Sequence, residues 1–172
     1  MLALDDLNAM DEEHFVAALD GVFEHSPWVA RDASAARPLR SVAELAGAME
    51  AAMRAASRAR QLDLIRAHPE LAGRQARAGE LTAESAGEQA SAGLDRLTAG
   101  ELRDLQALNA AYRERFGFPL VVCVREHTKD SILAWGRERV GNPLDEEVAI
   151  ALGEIAKIAR LRLDDLVAEG AA

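Results

Sequence analysis

Apolar residues recur along this chain at spacings of three and four, the mark of helices that bury one face. Phe15, Leu19, Val22 and Phe23 follow that spacing and predict a helix over about 11–24. Ser26 and Pro27 read as the N-cap and first position of a short second helix, which Pro38 ends. Val42, Leu45, Met49 and Met53 form the next apolar stripe, behind Ser41 and Glu44 at capping-box spacing. A further helical stretch around RQLDLIRA runs up to His68 and stops, because Pro69 pushes the residue before it toward extended backbone.

Residues 69–80, PELAGRQARAGE, contain two glycines and a proline and are expected to form a surface loop. Thr82 caps a helix predicted through about 95, with Ala86, Ala90, Leu94 and Leu97 as its apolar arc. Thr98 and Glu101 make another capping box, and the helix they open closes at Gly117. PLVVCV at 119–124 is the one β-like run. Thr128 opens another helix, and Asn142–Pro143 caps a long last one through about Val167. No repeat, low-complexity tract or long linker interrupts the pattern. The expectation is one all-α domain over 1–172, a compact bundle of about eight helices.

Composition supports the helical reading. Alanine, the best helix former, is the commonest apolar residue, whereas four Phe, two Trp and one Tyr are few for a β-sandwich core. A formal charge of −9 argues against a nucleic-acid partner, which needs a basic face to displace counterions. No apolar run approaches the roughly 20 residues that span a bilayer, so no membrane association is expected. The opening MLALDDLNAMDEEH lacks the basic and apolar regions of a signal peptide, and the closing EGAA is not a peroxisomal address. Cys123 is the only cysteine, so neither an internal disulfide nor a cysteine pair for zinc is available. A reducing cytoplasm is the expected compartment.

Three places carry candidate chemistry. His68 stands at a helix exit, where the carboxyl end of the helix favours positive charge on the ring, as a general acid requires. The same position suits a surface histidine that simply closes a helix. Arg162 falls inside the arc of Val148, Leu152, Ile155, Ala159 and Leu166 on the last helix, while Arg160 and Leu161 fall outside it. A buried guanidinium needs an anionic partner, which is either a ligand carboxylate or an acidic residue of the chain itself. Ser85, Glu88 and Gln89 share a neighbourhood on one helix and together offer donors and acceptors to a polar heterocycle, although the apolar arc leaves Glu88 facing solvent. His14 and His25 lack acidic or cysteine partners at ligand spacing, His127 in REHTKD reads as a solvated entry to a helix, and Cys123 reads as a small core residue. HExxH, glycine-rich phosphate loops and a G-x-S-x-G elbow are all missing.

The motifs HPELAGR at 68–74, LTAESAGEQ at 81–89, LNAAYRERFGFPLVV at 108–122 and ALGEIAKIARLRLDDL at 151–166 resemble those of 2-oxo-4-hydroxy-4-carboxy-5-ureidoimidazoline (OHCU) decarboxylases. SPWVA at 26–30 and ARPL at 36–39 look like the amino-terminal signature of that family, and the likeness runs from about Asn8 to Leu166 in family order. The resemblance implies an all-α homodimer that works without metal or organic cofactor, converting OHCU to (S)-allantoin in urate breakdown. It implies His68 as the catalytic histidine and Glu88 as the carboxylate assisting it. Substrate contacts are implied at Pro69, at Ser85, Ala86, Gly87, Glu88 and Gln89, along Leu120, Val121, Val122, Cys123 and Val124, and at Arg162. Glu70 stands where the family often has Asp, and Leu120 where it often has an aromatic, which touches pocket shape. Two other readings are compatible with the residues: a cofactor-free lyase or hydrolase of a related ureide, and a helical adaptor without catalysis.

Overall fold

The protein is described by a computed structural model over residues 1–169, and it is predominantly helical. In order, the helices are α1 (Leu4–Ala9), α2 (Glu12–Ala18), α3 (Trp28–Ala33), α4 (Val42–Ala55), α5 (Arg58–Ala67), α6 (Arg74–Ala78), α7 (Ala83–Ser91), α8 (Ala99–Phe116), α9 (Lys129–Arg139) and α10 (Leu144–Leu166). The two helices beyond the expected eight or so are the short α1 and α6. Two-residue strands β1 (Leu2–Ala3) and β2 (Val167–Ala168) pair in parallel, Leu2 opposite Val167. No described helix is long and apolar enough to cross a membrane. Contacts divide the chain into two compact units, Met1–Leu64 with the chain from Ala156 onward, and Ile65–Ile155. Both boundaries fall inside helices, α5 and α10, so no linker in the sequence marks them.

In the first unit α2 is capped by Asp11, whose side chain accepts the His14 amide. The helix stops at Ala18 rather than about 24, because Gly21 and His25 take positive φ of 87° and 46° and turn the chain away. Leu19, Val22 and Phe23 are buried all the same, from an irregular turn rather than a helix. Ser41 caps α4 by accepting the Glu44 amide at 3.0 Å, while the Glu44 carboxylate takes the Arg40 amide instead of returning to Ser41. Val42, Leu45, Met49 and Met53 point inward as their spacing predicts. That stripe packs α4 on α3.

In the second unit the Thr98–Glu101 capping box is complete, and Gly117 closes α8 at φ 71°. Tyr112, Phe116 and Phe118 cluster around that turn, with the two Phe rings stacked at 5.5 Å. The β-like run at 119–124 forms no strand: it is extended backbone followed by a 3-10 turn at Val124–Glu126. Its β-branched residues bury as a strand would, but side chains rather than a neighbouring strand satisfy its backbone. The 69–80 segment contains the single-turn α6, closed by Gly79 in the left-handed region. Helix α7 ends at Ser91 rather than 95, and Gly93 at φ 76° turns the chain out of it.

Candidate active site

His68 follows α5 directly, its amide donating to the Ile65 carbonyl at 3.2 Å, and the residue is 8% exposed. It is therefore a buried histidine rather than a surface one. It lines a cleft of about 510 Å³ together with Arg66, Glu70, Arg74 and Arg113. Arg113 reaches Glu70 at 2.6 Å, which leaves this wall with more positive than negative side chains. On a chain whose formal charge is −9, such a basic cleft concentrates field lines for an anion. Arg66, Arg74 and Arg113 carry no signature that pattern reading could have picked out, since exposed arginines are common on any helix.

Helix α7 departs in part from the expected helix. Ser85 and Gln89 are buried, Glu88 is half-buried, and Ala86 and Gly87 are exposed. Of the arc expected from Ala86, Ala90, Leu94 and Leu97, Leu94 beyond the end of α7 is buried, while the helix itself turns the polar Ser85 and Gln89 inward. The reason is specific: the Gln89 Oε1 accepts the Ala72 amide at 2.8 Å, and α7 packs against the 124–126 turn. One helix thereby joins the loop behind His68 to the segment after Pro119. Neither 85–89 nor 120–124 lines the cleft that holds His68. Pro69 is half-buried beside it.

Leu120, Val121, Val122, Cys123 and Val124 are all at least 95% buried. Their backbone is held by two charged residues that pattern reading missed, one of them backed by Glu147. Arg139, 1% exposed, donates from Nη1 to the Val121 carbonyl at 2.8 Å and from Nε to Glu147 at 3.0 Å. Burial pulls this guanidinium down to about 10, still charged at neutral pH. Glu154 accepts the Cys123 amide at 2.9 Å. Arg139 shares a face with Ile132, Leu133 and Gly136, so the argument that singled out Arg162 would have found it too.

Arg162, in the first unit, is buried as its position on the α10 arc predicts. Its Nη1 donates to the Gly21 carbonyl at 2.7 Å and to Glu24 Oε2 at 3.1 Å, and Glu24 is 2% exposed. Of the two partners the sequence left open, an acidic residue of the chain is present. His14 pairs with Asp11 at the surface, and His127 stacks on Trp135 at 5.3 Å. Among the described residues, no three His, Cys, Asp or Glu side chains gather as a metal site.

The chain that places a buried histidine after a proline-terminated helix, on an arginine-rich cleft, is similar to known proteins over nearly its whole length. The family model described as OHCU decarboxylase matches residues 8–164. The OHCU decarboxylase of Haloferax volcanii is 46% identical over 94% of this chain and 94% of its own length. That of Halalkalicoccus jeotgali is 41% identical over 96% of this chain and 92% of its own. Among solved structures, an (S)-allantoin synthase superposes with a TM-score of 0.77 at 29% identity, covering 96% of this chain and 54% of that one. The chain belongs to the OHCU decarboxylase family.

Proposed function

We propose that this protein decarboxylates OHCU to (S)-allantoin, with His68 as the proton-transfer group and no organic cofactor. The observation that carries the reading is the burial of His68 on a cleft rich in arginine, within a chain matched to the family over nearly its whole length. The substrate contains its own electron sink. Its carboxylate sits on a ring carbon next to a C=N bond, so the electron pair of the breaking C–CO2 bond enters the imine and a ring nitrogen is protonated. The hydroxyl of the resulting enol then becomes a carbonyl as its proton leaves, and one proton is delivered to the neighbouring ring carbon. Delivery to a single face makes that carbon a stereocentre of one hand.

In this reading Glu88 orients the imidazole, and Ser85 and Gln89 meet the ureido and ring amide groups, with Ala86, Gly87, Pro69 and the 120–124 backbone around them. Their support is the resemblance, together with the polar inner face of α7. Arg162 is proposed to neutralise an anionic or carbonyl edge of the ligand. Arg162→Lys with an unchanged melting curve and an unchanged KM would remove it from that role. The working form is proposed to be a homodimer in the cytoplasm, which sedimentation and fractionation can check. A related ureide is the competing substrate. Circular dichroism at the allantoin band during urate oxidation, with and without the protein, decides. A fast signal of one sign is expected, and a trace identical to spontaneous decay rejects the reading.

A further inference from the structure

One peptide group in the loop behind His68 is held from both sides. The carbonyl of Leu71 accepts a hydrogen bond from Asn109 Nδ2 at 2.9 Å. The amide of Ala72, in the same peptide, donates to Gln89 Oε1 at 2.8 Å. Asn109 is 3% exposed and Gln89 7%, so both bonds form away from water. They come from different helices, α8 and α7. Ala72 sits at φ 46°, a conformation that costs an L residue of order 1–3 kcal/mol and persists only where the surroundings over-determine it. The two amides are that surrounding constraint.

Asn109 is an expensive residue for packing alone. Its Oδ1 is buried without a hydrogen-bond partner among the described residues, a state that costs about 1–3 kcal/mol. The carbonyl of Leu71 can only accept, so the NH2 end of Asn109 must face it and the amide cannot flip to relieve its oxygen. A leucine, branched at the same position, would avoid the orphan but would leave the Leu71 carbonyl without this donor. What asparagine supplies here is therefore the bond to the loop.

We propose that Asn109 is a positioning residue for the decarboxylation, fixing through the Leu71–Ala72 peptide where the His68 imidazole stands. The proposal rests on the decarboxylase reading above. It also gives Gln89 two tasks: its Oε1 holds the loop, while its NH2 end remains for the substrate contact the resemblance assigns. Gln89 and Asn109 then set the two ends of a clamp on the loop that follows His68. A displacement of about 1 Å at a reacting group is worth about 100-fold in rate.

The test uses the full chain carrying Asn109→Leu or Asn109→Asp. Both variants are expected to lower kcat by tens of fold to about 100-fold, with KM within a few fold, and to lower the enantiomeric excess of the allantoin formed. A carboxylate cannot donate to the Leu71 carbonyl, but a carboxylic acid can, so Asn109→Asp should recover relative to Asn109→Leu as pH falls. The His68 ring resonances should shift and the Ala72 amide should lose its exchange protection in Asn109→Leu, with or without substrate. A folded Asn109→Leu protein with parental kcat, enantiomeric excess and His68 resonances overturns the proposal. So does one that only melts earlier while those three stay fixed. Should the parent itself not accelerate OHCU decay, the decarboxylase reading fails, and the ring resonances with the Ala72 exchange rate still decide the clamp.

Discussion

The carboxylate of Glu154 accepts the backbone N–H of Cys123 at 2.9 Å, and both residues are buried. It fixes a segment that no strand supports, at the level where the resemblance places substrate contacts. Glu154→Leu should leave that N–H unmatched and destabilise the protein by about 1–3 kcal/mol, whereas Glu154→Gln keeps an acceptor and should cost less. Urea unfolding of the two variants side by side measures the difference. Equal midpoints would mean that the carboxylate does not hold Cys123.

The neighbouring support is a buried ion pair. Arg139 and Glu147 are 1% and 0% exposed, and Asn142 donates to the other oxygen of Glu147 at 3.0 Å. Burial pushes the Glu147 carboxyl up to about 8, so without its cation it must take a proton in the interior, and Arg139→Leu should lose about 3–5 kcal/mol. The double variant Arg139→Leu with Glu147→Leu should be more stable than Arg139→Leu alone, because no charge is then left behind. A double variant that melts no later than the single one would show that the guanidinium matters through the Val121 carbonyl and not through Glu147.

Much of this was legible in the residues. Caps at Ser41, Thr98 and Thr128, the stop at His68, the stripe of α4 and the inward turn of Arg162 all follow from local chemistry that needs no tertiary knowledge. The failures share a cause. Periodicity assumes that the buried face is apolar, and α7 buries Gln89 because the Ala72 amide, seventeen positions away, needs an acceptor. Likewise PLVVCV has the composition of a strand but accepts from Arg139 and donates to Glu154, which only the fold brings near. The β1–β2 pair joins positions 2 and 167 through two residues each, too short to leave a pattern.

Gly136 limits the space beside Leu120. A Cβ at 136 would lie 2.8 Å from Leu120 Cδ2 and 2.6 Å from Leu108 Cδ2, closer than real contacts allow. Gly136→Ala must therefore move both leucine ends, and overpacking of this kind typically costs 1–3 kcal/mol. Helix propensity favours alanine by roughly 1 kcal/mol, which sets the expected net loss at the lower end. Because Leu120 belongs to the proposed substrate segment, KM should rise along with the earlier melting. A variant with a later melting point and parental KM would mean the leucines repack freely.

The start of α8 gives a pH signature. Glu101 bonds Lys129 and the Thr98 amide, and these contacts hold its carboxyl at about 2, below its ordinary value of 4.5. A folded-state pKa below the unfolded one means that the stabilisation is present above about 4.5 and is lost as pH falls through about 2. Glu101→Gln should therefore melt earlier than the parent at pH 7, and the gap should close by about pH 2. A gap that is the same at both values would show that Glu101 acts through packing rather than charge.

His68 carries the heaviest prediction. His68→Asn keeps a polar group of similar reach in a buried position but cannot exchange a proton near neutrality, so folding should survive while proton delivery does not. General acid–base groups contribute roughly 10²–10⁴ in rate, and a loss in that range is expected in kcat. The substrate decays unaided, so residual allantoin will form in any case, and rate alone would understate the defect. Handedness does not share that weakness: uncatalysed protonation reaches both faces, and the variant's product should approach the racemate. Chiral separation of allantoin made from freshly oxidised urate, at matched protein concentration, reads this directly. A variant with slow turnover but undiminished (S) excess would mean that the pocket walls choose the face and some other group supplies the proton, leaving His68 a structural role at the end of α5.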